Sequence, residues 1–563
     1  MQKIWNVKKY EKRQVKEISN KFNISSVMAK LLISKDIKPK DIEMYLNGTI
    51  DDLRDPFDIK DMEKFVERVM FAVNNHEKIC IYGDYDVDGI TSITIMYKFL
   101  KSIGADVMYY LPDRLIEGYG VNKEALREIA SNGAKLVITV DCGITAVEET
   151  EYAKSLKIDM CITDHHECAK ILPDSVCIIN PKQEDDTSYF KMFAGVGVAF
   201  KCIVALCKKL KLGKDSYLKY LDIVAIGTVS DIVSLLDENR VITKYGINLI
   251  KETKNVGLMA LLELTKFKNT DSTMISFGLA PRINACGRMG NASLAVKLFL
   301  EEDYEKAREL AITLDKLNSK RQQVEKEIFD SAICKINEFG IYQKNSIVIY
   351  DKSWHSGVIG IVASRLVNIY NKPVILLTNE NGVIRGSGRC PKGISIYEVL
   401  DKCREDVIQF GGHELAAGLS LKEEKIEDFI KHFDDMVFKI LDGKTLEQVI
   451  DIDMEISLDD LNVSLLKDVY KIKPYGQSNR PPLFIYKGLK VQAVRKIGEG
   501  KHLKLVLQDK NKLIDAVGFL MGDRRDEILI GEKIDIVCQV DVNDFNGKKT
   551  IQLLLEDFNK SLN

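Results

Sequence analysis

Three carboxylates at alternate positions, followed by a glycine, constrain this chain more than any other feature. Asp84, Asp86 and Asp88 follow an apolar run that ends at Ile81, and a helical pattern covers residues 90–100. Alternate side chains of an extended segment share one face, so the three carboxylates crowd together. Such crowding is repulsive unless cations bind there, and oxygen ligands select Mg²⁺ or Mn²⁺. The segment therefore predicts a metal site at the carboxyl end of a buried strand, where open α/β sheets bind ligands.

Two other interpretations of this segment stay open from the segment alone. An EF-hand calcium loop also begins with alternate aspartates, but it needs a bidentate Glu at loop position 12. Counted from Asp84, that position holds Ile95, and the residues after Gly89 have a helical pattern, which disfavours calcium. A solvated acidic turn is the second alternative, and the apolar strand and helix patterns on either side disfavour it.

Further acidic residues follow other apolar segments of the chain. A β-branched run ends at Asp141, a short strand pattern over residues 159–163 ends at Asp164, and an apolar segment ends at Asp231. Acidic residues at successive strand ends, within an alternating strand and helix pattern, indicate a parallel sheet with a shared acidic edge.

A histidine pair follows one of these strand ends directly. His165 and His166 come after Asp164. Neutral imidazole is a good Mn²⁺ ligand, and an adjacent carboxylate fixes its tautomer. Adjacent side chains of a strand point to opposite faces, but beyond the strand end both can reach one cleft. Taken alone, the pair fits a structural role about as well as a metal-binding one.

Together these motifs resemble those of the DHH phosphoesterase superfamily and, within it, the single-strand-specific 5′→3′ exonucleases of bacterial repair and recombination. The resemblance spans roughly residues 80–420, in the order of the family, and continues through residues 111–114, 117–120, 281–288, 353–360, 386–389 and 411–413. It implies an α/β multidomain protein. A parallel-sheet DHH domain and a DHHA1 α/β domain are expected to flank a cleft that holds the substrate.

The resemblance also implies a set of metal ligands. Asp86 and Asp88 would bind two metal ions, and Asp141 would bridge them. His165 and Asp231 would complete the ligand shell of the second ion. We therefore expect Mn²⁺ or Mg²⁺ as the cofactor, in a two-metal site that activates water and stabilises the oxygens of an in-line phosphodiester hydrolysis.

One position departs from the superfamily pattern. Many members carry a metal-binding His four residues before the middle aspartate, and this chain has Tyr82 there. Asp84 is the expected replacement ligand of the first ion, directly or through water. His166 is expected beside the scissile phosphate. The expected catalytic residues are Asp88, Asp141, His165 and His166.

A second group of residues in the resembling motifs is expected to bind phosphate and nucleic acid. Guanidinium groups pair bidentately with phosphate oxygens, and glycines let backbone amides approach them closely. A structural ion pair is the alternative role for each arginine. The group consists of Arg282, Arg288, His355, Ser387, Arg389, Gly411, Gly412 and His413.

Composition indicates a multidomain protein of a reducing compartment. A chain of 563 residues exceeds a single hydrophobic core, so three or four domains are expected. Twelve cysteines are scattered without a Cys-x-x-Cys pair, which indicates free thiols in a cytoplasm. No apolar run of membrane-spanning length and no signal-peptide pattern is present. The net charge of −2 confines any nucleic-acid path to a local surface.

We divide the chain into five parts. A DHH metal-binding catalytic domain is expected at residues 51–270, and a DHHA1 substrate-binding domain at 346–445. An N-terminal helical cap (1–50) precedes them, and a helical connector (271–345), which is dominated by a long polar helix, joins them. Residues 446–563 change to short alternating strands, which predicts a C-terminal OB-like β-barrel.

The predicted barrel mixes basic residues with aromatic ones. Lysines and arginines between positions 487 and 504 stand beside Phe484, Tyr486 and Phe519. A basic groove that follows phosphates, with aromatic rings that stack on bases, suits a single strand. The alternative interpretation is that these basic residues only face solvent, as lysines do on the outside of any soluble barrel. Beside the nuclease-like motifs, we expect an OB-fold single-strand-binding domain.

The expected function is a metal-dependent exonuclease that degrades single-stranded DNA 5′→3′ to 5′-mononucleotides in DNA repair and recombination. The polarity and the exclusion of duplex rest wholly on the resemblance. Single-stranded DNA is the expected partner of a monomeric, membrane-free protein, beside a helicase and a single-strand-binding protein. The alternatives are a small-substrate DHH phosphodiesterase, an inorganic pyrophosphatase and a non-catalytic scaffold. The barrel and the chain length disfavour the first two, and the retained ligand residues disfavour the third.

Overall fold

A computed structural model of the chain describes residues 3–112, 120–545 and 548–561, without the side chains of residues 544–549. The motif residues 113, 114 and 117–119 lie outside the described residues. Within this part of the chain, no helix is both long enough and apolar enough to cross a bilayer.

The first fifty residues contain a strand as well as the expected short helices. Their elements are β1 (Ile4–Val7), α1 (Lys12–Phe22), α2 (Ser26–Ser34) and α3 (Ile42–Asn47). The strand was not expected because its partner lies more than 440 residues away in the chain, in the parallel strand Val449–Ile452.

The next part of the chain forms a five-stranded parallel sheet with the strand order β3-β2-β4-β5-β6. Its strands are β2 (Lys78–Gly83), β3 (Val107–Tyr110), β4 (Ala134–Val140), β5 (Asp159–Thr163) and β6 (Cys177–Ile179). The helices around it are α4 (Met62–Asn74), α5 (Val87–Ser102), α6 (Lys123–Ser131), α7 (Val147–Ser155) and α8 (Gly195–Lys209).

Both faces of this sheet are buried, which explains the continuous apolar runs of its strands. Ile79 and Ile81 of β2 pack in one core with α4, α5 and α8. Cys80 and Tyr82 pack on the opposite face with α6 and α7. The carboxyl ends of β2, β4 and β5 therefore meet at one edge, where the predicted acidic residues follow.

A helical region separates this sheet from the second α/β unit. It comprises α9 (Asp215–Leu218), α10 (Leu221–Ser230), α11 (Asp237–Ile250), α12 (Val256–Glu263), α13 (Ser272–Met274), α14 (Ala280–Arg288), α15 (Ser293–Leu300) and α16 (Tyr304–Glu338), with a π-helical stretch at Ile275–Leu279. The apolar segment before Asp231 is thus a helix, α10. The expected long polar helix is α16, with 35 residues.

The second α/β unit contains a mixed sheet with the order β10-β11-β9-β8-β7, in which only β7 and β8 are parallel. Its strands are β7 (Ile347–Tyr350), β8 (Val374–Glu380), β9 (Val383–Arg389), β10 (Gln409–Gly412) and β11 (Ala416–Leu421). Its helices are α17 (Ser356–Tyr370), α18 (Ile396–Lys402) and α19 (Ile426–Ile440).

The remaining residues form the expected OB-like barrel. Strands β14, β15, β16, β18 and β17 pair in that order, and β17 pairs again with β14, which closes the sheet. The elements are β12 (Val449–Ile452), β13 (Met454–Glu455), α20 (Val463–Lys471), β14 (Phe484–Ile497), β15 (His502–Asp509), β16 (Lys512–Gly518), β17 (Lys533–Phe545) and β18 (Lys548–Lys560). Gly488, with a φ of 70°, bends β14 within its length.

One expectation about the barrel needs correction. Phe484 and Tyr486 cannot stack on bases, because both rings are buried in the barrel core. The N-terminal helices share that core: Met28 and Leu31 of α2 pack in one cluster with barrel residues. The first fifty residues therefore cover the barrel, and the chain folds back on itself through β1 and α2.

Candidate metal centre

The loop between β2 and α5 holds the three alternate aspartates in a tight turn. The carboxylate of Asp86 caps α5, since it accepts hydrogen bonds from the backbone N–H groups of Asp88 (2.8 Å) and Gly89 (3.1 Å). A Cβ at Gly89 would lie 2.3 Å from the backbone oxygen of Asp84. Only glycine therefore fits this turn. Asp84 and Asp88 are buried, whereas Asp86 is half-buried.

Asp88 is held by the N-terminus of α8. Its carboxylate accepts hydrogen bonds from the backbone N–H groups of Gly195 (2.6 Å) and Val196 (2.8 Å). A helix N-terminus favours negative charge, so this contact fixes Asp88 as a carboxylate acceptor inside the core. Sequence reasoning missed this support. The available signal was a Gly-x-Gly run at Gly195 and Gly197 that opens an apolar helix.

Asp141 follows β4 in a left-handed backbone conformation, with a φ of 61°. Non-glycine residues seldom adopt this region, and such strain concentrates at functional sites. Its side chain lies against α8, where a Cβ at Gly195 would approach Asp141 Oδ1 to 2.6 Å. Gly195 thus both donates to Asp88 and leaves room for Asp141.

His165 lies at the centre of the cluster. Its Nε2 atom is 3.1 Å from Asp141 Oδ1, 3.5 Å from Asp231 Oδ2 and 3.8 Å from Asp88 Oδ2. The backbone carbonyl of Phe193 accepts a hydrogen bond from the imidazole. Because Nε2 has no hydrogen-bond partner within the described residues, Nδ1 is the donor, and the Nε2 lone pair faces the carboxylates.

The cluster fits a divalent metal. Its ligand atoms fall into three overlapping groups, each within 4.8 Å: Asp84, Asp86 and Asp141; Asp88, His165 and Asp231; Asp141, His165 and His166. Asp141 Oδ1 and His165 Nε2 are buried, and neither makes a hydrogen bond to the part of the chain that the structure describes. Buried carboxylate and imidazole groups that face one another form a site for a cation, and this donor set suits Mn²⁺ or Mg²⁺.

Charge crowding in the metal-free cluster changes the pKa values of its acids. Burial, followed by the nearby carboxylates of Asp86 and others, raises the pKa of Asp88 to about 7 and that of Asp231 to about 9. The same causes raise the pKa of Asp141 well above its usual range. Burial lowers the pKa of His165 to about 3, so its imidazole is neutral and available as a ligand.

Asp164 positions the second histidine. Its carboxylate lies 2.7 Å from His166 Nδ1 and accepts hydrogen bonds from the backbone N–H groups of Ile144, His165 and His166. Burial lowers the pKa of His166, but the hydrogen bond to Asp164 and the nearby acids outweigh that effect and raise it to about 9. The His166 side chain is 37% exposed, so it can reach a substrate. Asp164 was not among the predicted site residues, although it precedes the histidine pair.

The Tyr82 side chain packs on the face of the sheet that α6 and α7 cover, opposite to the face that α5 and α8 cover. Its hydroxyl donates to the backbone oxygen of Gly120 (2.9 Å), and its ring stacks on Tyr110 at 5.4 Å between centroids. Tyr82 therefore supports the sheet from behind. Asp84 lies in a group of possible metal ligands with Asp86 and Asp141.

Arg282 does not fit the expected phosphate-binding role. Its guanidinium forms an ion pair with Asp315 (2.8 Å) and donates to the backbone oxygens of Gly278 (2.6 Å) and Leu264 (3.2 Å). These contacts engage all three guanidinium nitrogens and tie α14 to α16. The structural ion pair, the alternative from the sequence, is what the structure shows for this residue.

Arg288 and His355 lie where the two α/β units meet. Arg288 Nη1 donates to the backbone oxygen of Gly357 (3.1 Å), and His355 caps α17 by accepting from the Gly357 N–H (3.1 Å). A Cβ at Gly357 would lie 2.6 Å from the Arg288 backbone oxygen. On the other side of α14, a Cβ at Gly287 would lie 2.6 Å from the backbone oxygen of Tyr85. Helix α14 thus connects the aspartate loop directly to α17.

Ser387 and Arg389 extend this contact into the second sheet. Arg389 Nη1 donates to Ser387 Oγ (3.1 Å), and both side chains lie over Gly360 of α17. Arg288, His355, Ser387 and Arg389 therefore lie around the first turns of α17. Gly411, Gly412 and His413 are exposed on the β10–β11 hairpin, and among the described residues they make no hydrogen bond or ion pair with the metal cluster.

Three segments of the chain match known protein families. Residues 78–228 match the DHH family N-terminal domain, residues 343–439 the DHHA1 domain and residues 452–557 the RecJ OB domain. The chain is 37% identical over 559 residues to the single-stranded-DNA-specific exonuclease RecJ of Bacillus subtilis, in a match that covers 98% of this chain and 70% of the relative. It is 32% identical over 574 residues to the RecJ of Haemophilus influenzae, with 98% and 99% covered.

Solved structures show the same fold. RecJ from Thermus thermophilus in complex with Mn²⁺ superimposes with a TM-score of 0.86 at 26% identity, over all of this chain and 80% of that chain. An exonuclease RecJ bound to manganese superimposes with a TM-score of 0.60 at 32% identity, over 67% of this chain and 94% of that chain.

Proposed function

This chain belongs to the RecJ family of single-stranded-DNA-specific exonucleases, and on that premise we propose that it removes nucleotides from the 5′ end of single-stranded DNA. The products are 5′-mononucleotides and a shortened strand. The enzyme is a phosphodiesterase with Mn²⁺ or Mg²⁺ as its cofactor. We place its activity in DNA repair and recombination, as a monomer that acts beside a helicase and a single-strand-binding protein.

One observation carries this proposal: the buried carboxylate and imidazole cluster at the carboxyl edge of the parallel sheet. Asp88, Asp141 and Asp231 converge on His165 Nε2 within 3.8 Å. Two of the central atoms make no hydrogen bond within the described residues. Without a cation the buried acids keep their protons, as their raised pKa values show, whereas a bound divalent ion pairs with their charged forms.

Each ligand residue has a separate role in holding the cofactor. Asp84, Asp86 and Asp141 form one group of ligands, Asp88, His165 and Asp231 form the other, and Asp141 lies between them. When bound there, divalent ions lower the pKa of a water nucleophile and neutralise charge on the phosphate oxygens. The N-terminus of α8 holds Asp88 in place, and the Phe193 carbonyl holds the His165 ring.

The substrate-facing residues act on the phosphate itself. His166 is partly exposed, and the hydrogen bond that Asp164 accepts at its Nδ1 atom favours the imidazolium form, in which Nε2 is a donor. It can therefore donate a hydrogen bond to the scissile phosphate or to the leaving oxygen. Arg288, His355, Ser387 and Arg389 surround the first turns of α17, where a guanidinium and backbone amides suit a terminal phosphate.

The cysteines support a reducing compartment. All twelve are described and free, and ten of them are buried, where they behave as small apolar side chains. Free thiols in this number are typical of a cytoplasm, and we place the enzyme there.

The test is digestion of one single-stranded DNA that carries its label at the 5′ end in one sample and at the 3′ end in another, with Mn²⁺. We expect immediate release of the 5′ label as a mononucleotide, while the 3′ label stays on long fragments. Early release of the 3′ label would overturn the polarity. Survival of long strands while dinucleotides are hydrolysed would replace this function with that of a small-substrate phosphodiesterase.

A further inference from the structure

A cavity lies between the metal-binding domain and the barrel. It has a volume of about 500 Å³ and is lined on one side by α11 and residues 267–273, and on the other by residues from α20 to β18. Pockets of roughly 300–1,000 Å³ hold ligands of nucleotide size. None of the residues with a role in the metal centre lines it, so the cavity is separate from that site.

The cations at this cavity lack acidic partners. Lys244, Lys268 and Lys473 line it, and none of the three makes an ion pair within the described parts of the chain. The lysines outnumber the two acids that line the cavity, and the cations Arg240 and Lys471 also lie near Lys244, so the local charge is positive. An anion, and above all a phosphate, is the ligand that this field favours.

The two acids at the cavity are already engaged. Asp271 caps α13 by accepting from the Met274 N–H (2.9 Å), and Asp541 accepts from the N–H of Val542 (2.8 Å). Their carboxylates therefore use part of their acceptor capacity on the backbone. The positive charge of the lysines is not cancelled by a direct contact with either acid.

Exposed aromatic rings stand on both sides of the cavity. Phe267, on the metal-domain side, is 42% exposed, and Tyr470, on the barrel side, is 43% exposed. Tyr475 lines the same space. Lys473 Nζ lies over the ring of Tyr470, 4.1 Å from its centroid. Aromatic rings beside cations form the usual platform for single strands, because the rings stack on bases and the cations follow phosphates. The barrel rings predicted from the sequence, Phe484 and Tyr486, are buried and cannot do this.

Helix α11 links the cavity to the metal centre. It begins at Asp237, shortly after Asp231, and Ile247 lines the cavity. At a rise of about 1.5 Å per residue, the intervening helix spans about 15 Å. A stacked strand advances about 3.4 Å per nucleotide, so this length of helix corresponds to about four or five nucleotides.

We propose that this junction cavity binds a nucleotide of the single-stranded DNA substrate, several positions away from the reacting phosphate. The lysines contact the backbone, and Phe267 and Tyr470 contact a base. The inference rests on the proposed function, which it deepens by adding a second contact point on the strand. Shorter substrates, which cannot reach the cavity, lose this contact.

The first test uses the salt dependence of strand binding. The variant Lys244→Gln/Lys268→Gln is compared with Lys209→Gln/Lys254→Gln, whose lysines are exposed, without an ion pair in the described residues, and outside the cavity. Fluorescence anisotropy in EDTA gives the Kd of a twelve-nucleotide strand at several NaCl concentrations. Each lost phosphate contact reduces the slope of log Kd against log salt by about 0.7. We expect a reduction of about 1.4 for the cavity variant only. Equal slopes in both variants would overturn the proposal.

The second test uses strand length and the base contact. Tyr470→Ala is expected to weaken binding of the twelve-nucleotide strand about tenfold, as the loss of one stacked base does. For Tyr470→Ala, the Kd of the twelve-nucleotide strand divided by the Kd of a trinucleotide should rise by the same factor relative to the wild type. An equal loss for both lengths would show a general defect and contradict the proposal.

A free nucleotide carries the same phosphate and base as one nucleotide of the strand, so it is the competing ligand for the cavity. Binding of dAMP that is lost in the lysine variant, with an unchanged slope for the strand, would assign the cavity to free nucleotide and reject our proposal. Digestion of the strand by the wild-type chain with Mn²⁺ tests the proposed function separately. If that function is wrong, the strand stays undigested, whatever Kd values the anisotropy measurements give.

Discussion

The left-handed backbone of Asp141 determines which substitution tests its role. With a φ of 61°, alanine would add backbone strain, whereas asparagine tolerates this region and keeps the shape of the side chain. We predict that Asp141→Asn lowers turnover of single-stranded DNA at least about a thousandfold, because the carboxylate that we propose as the bridge between two metal ions loses its charge.

The same variant should fold at least as well as the wild type without metal. Burial and the surrounding carboxylates raise the pKa of Asp141, so its charge is unfavourable there. The melting temperature in EDTA is the control measurement. Near-normal turnover in Asp141→Asn would refute the assignment of Asp141 as a metal ligand.

The acids of the cluster make the stability of the metal-free protein depend on pH. The pKa of Asp231 and that of His166 are raised to about 9, and that of Asp88 to about 7, so between pH 7 and 9 the folded state holds protons that the unfolded chain has released. Stability must therefore fall as the pH rises through this window. In Asp231→Asn one of these groups is absent, and the fall in melting temperature in EDTA should be smaller. An identical fall in both proteins would contradict the raised pKa of Asp231.

Strand ends and alternation made Asp84, Asp86, Asp88 and Asp141 predictable from the sequence, whereas Asp231 follows a helix, α10. The residues that hold these acids could not be predicted. Gly195 and Asp88 are far apart in the chain, and only the fold brings the N-terminus of α8 to the Asp88 carboxylate. For Arg282 the predicted phosphate-binding role was wrong. Its motif is evident in the sequence, but the sequence does not show that Asp315 is its ion-pair partner.

At the scale of elements, the close approach of α8 to the strand ends makes Gly195 a sensitive position. A Cβ there would come within 2.6 Å of Asp141 Oδ1, so Gly195→Ala must displace a ligand. Residues that support metal ligands typically change metal affinity about 10–100-fold when mutated, and we expect a loss of about that size for Mn²⁺.

Gly213→Ala is the matched control, because no atom lies within 4 Å of a Cβ at Gly213. Isothermal titration with Mn²⁺ compares the two variants. If Gly195→Ala binds Mn²⁺ as tightly as Gly213→Ala does, the close packing of α8 against the ligands does not contribute to metal affinity.

Hydrophobic patterns in the sequence predict the order and type of most helices and strands. They predict only part of the pairing between strands. Strand β5 ends where its apolar run ends, at Thr163. By contrast, the short strands expected in residues 446–563 include one of 14 residues, β14, since Gly488 permits a bend within the strand that pairs with β17. Strand β1 was missed because four residues at the start of the chain give no periodic signal until β12 pairs with them.

At the scale of the whole molecule, one buried arginine joins three parts of the chain. Arg240 of α11 donates to the backbone oxygens of Tyr45, Lys471, Ile472 and Lys473. Its guanidinium also lies over the ring of Tyr45, at 4.1 Å. The metal-binding domain, the N-terminal helices and the segment before the barrel therefore meet at this residue.

We predict that Arg240→Met destabilises the whole chain by about 3 kcal/mol or more, because four backbone carbonyls, two of them in buried hydrogen bonds, lose their donor. Arg308→Met, at an exposed position without an ion pair in the described residues, is the control. Urea unfolding measures both. A cost no larger than that of the control would show that the parts are only loosely associated.

The shared core also changes how the barrel must be studied. Deletion of residues 446–563 would remove the partner strand of β1 and the acceptors of Arg240, so it would expose the N-terminal helices. Loss of activity in such a truncation would not distinguish strand binding from unfolding. Point substitutions at the junction cavity avoid this problem.

The central claim is that the buried carboxylate and histidine cluster is a two-metal hydrolytic centre. The most direct test is the number of Mn²⁺ ions that the chain binds, measured by equilibrium dialysis with the wild type and with Asp141→Asn. We predict two ions for the wild type and fewer for the variant, together with the loss of exonuclease activity. Binding of no Mn²⁺ by the wild type, or equal binding by both proteins, would contradict the account.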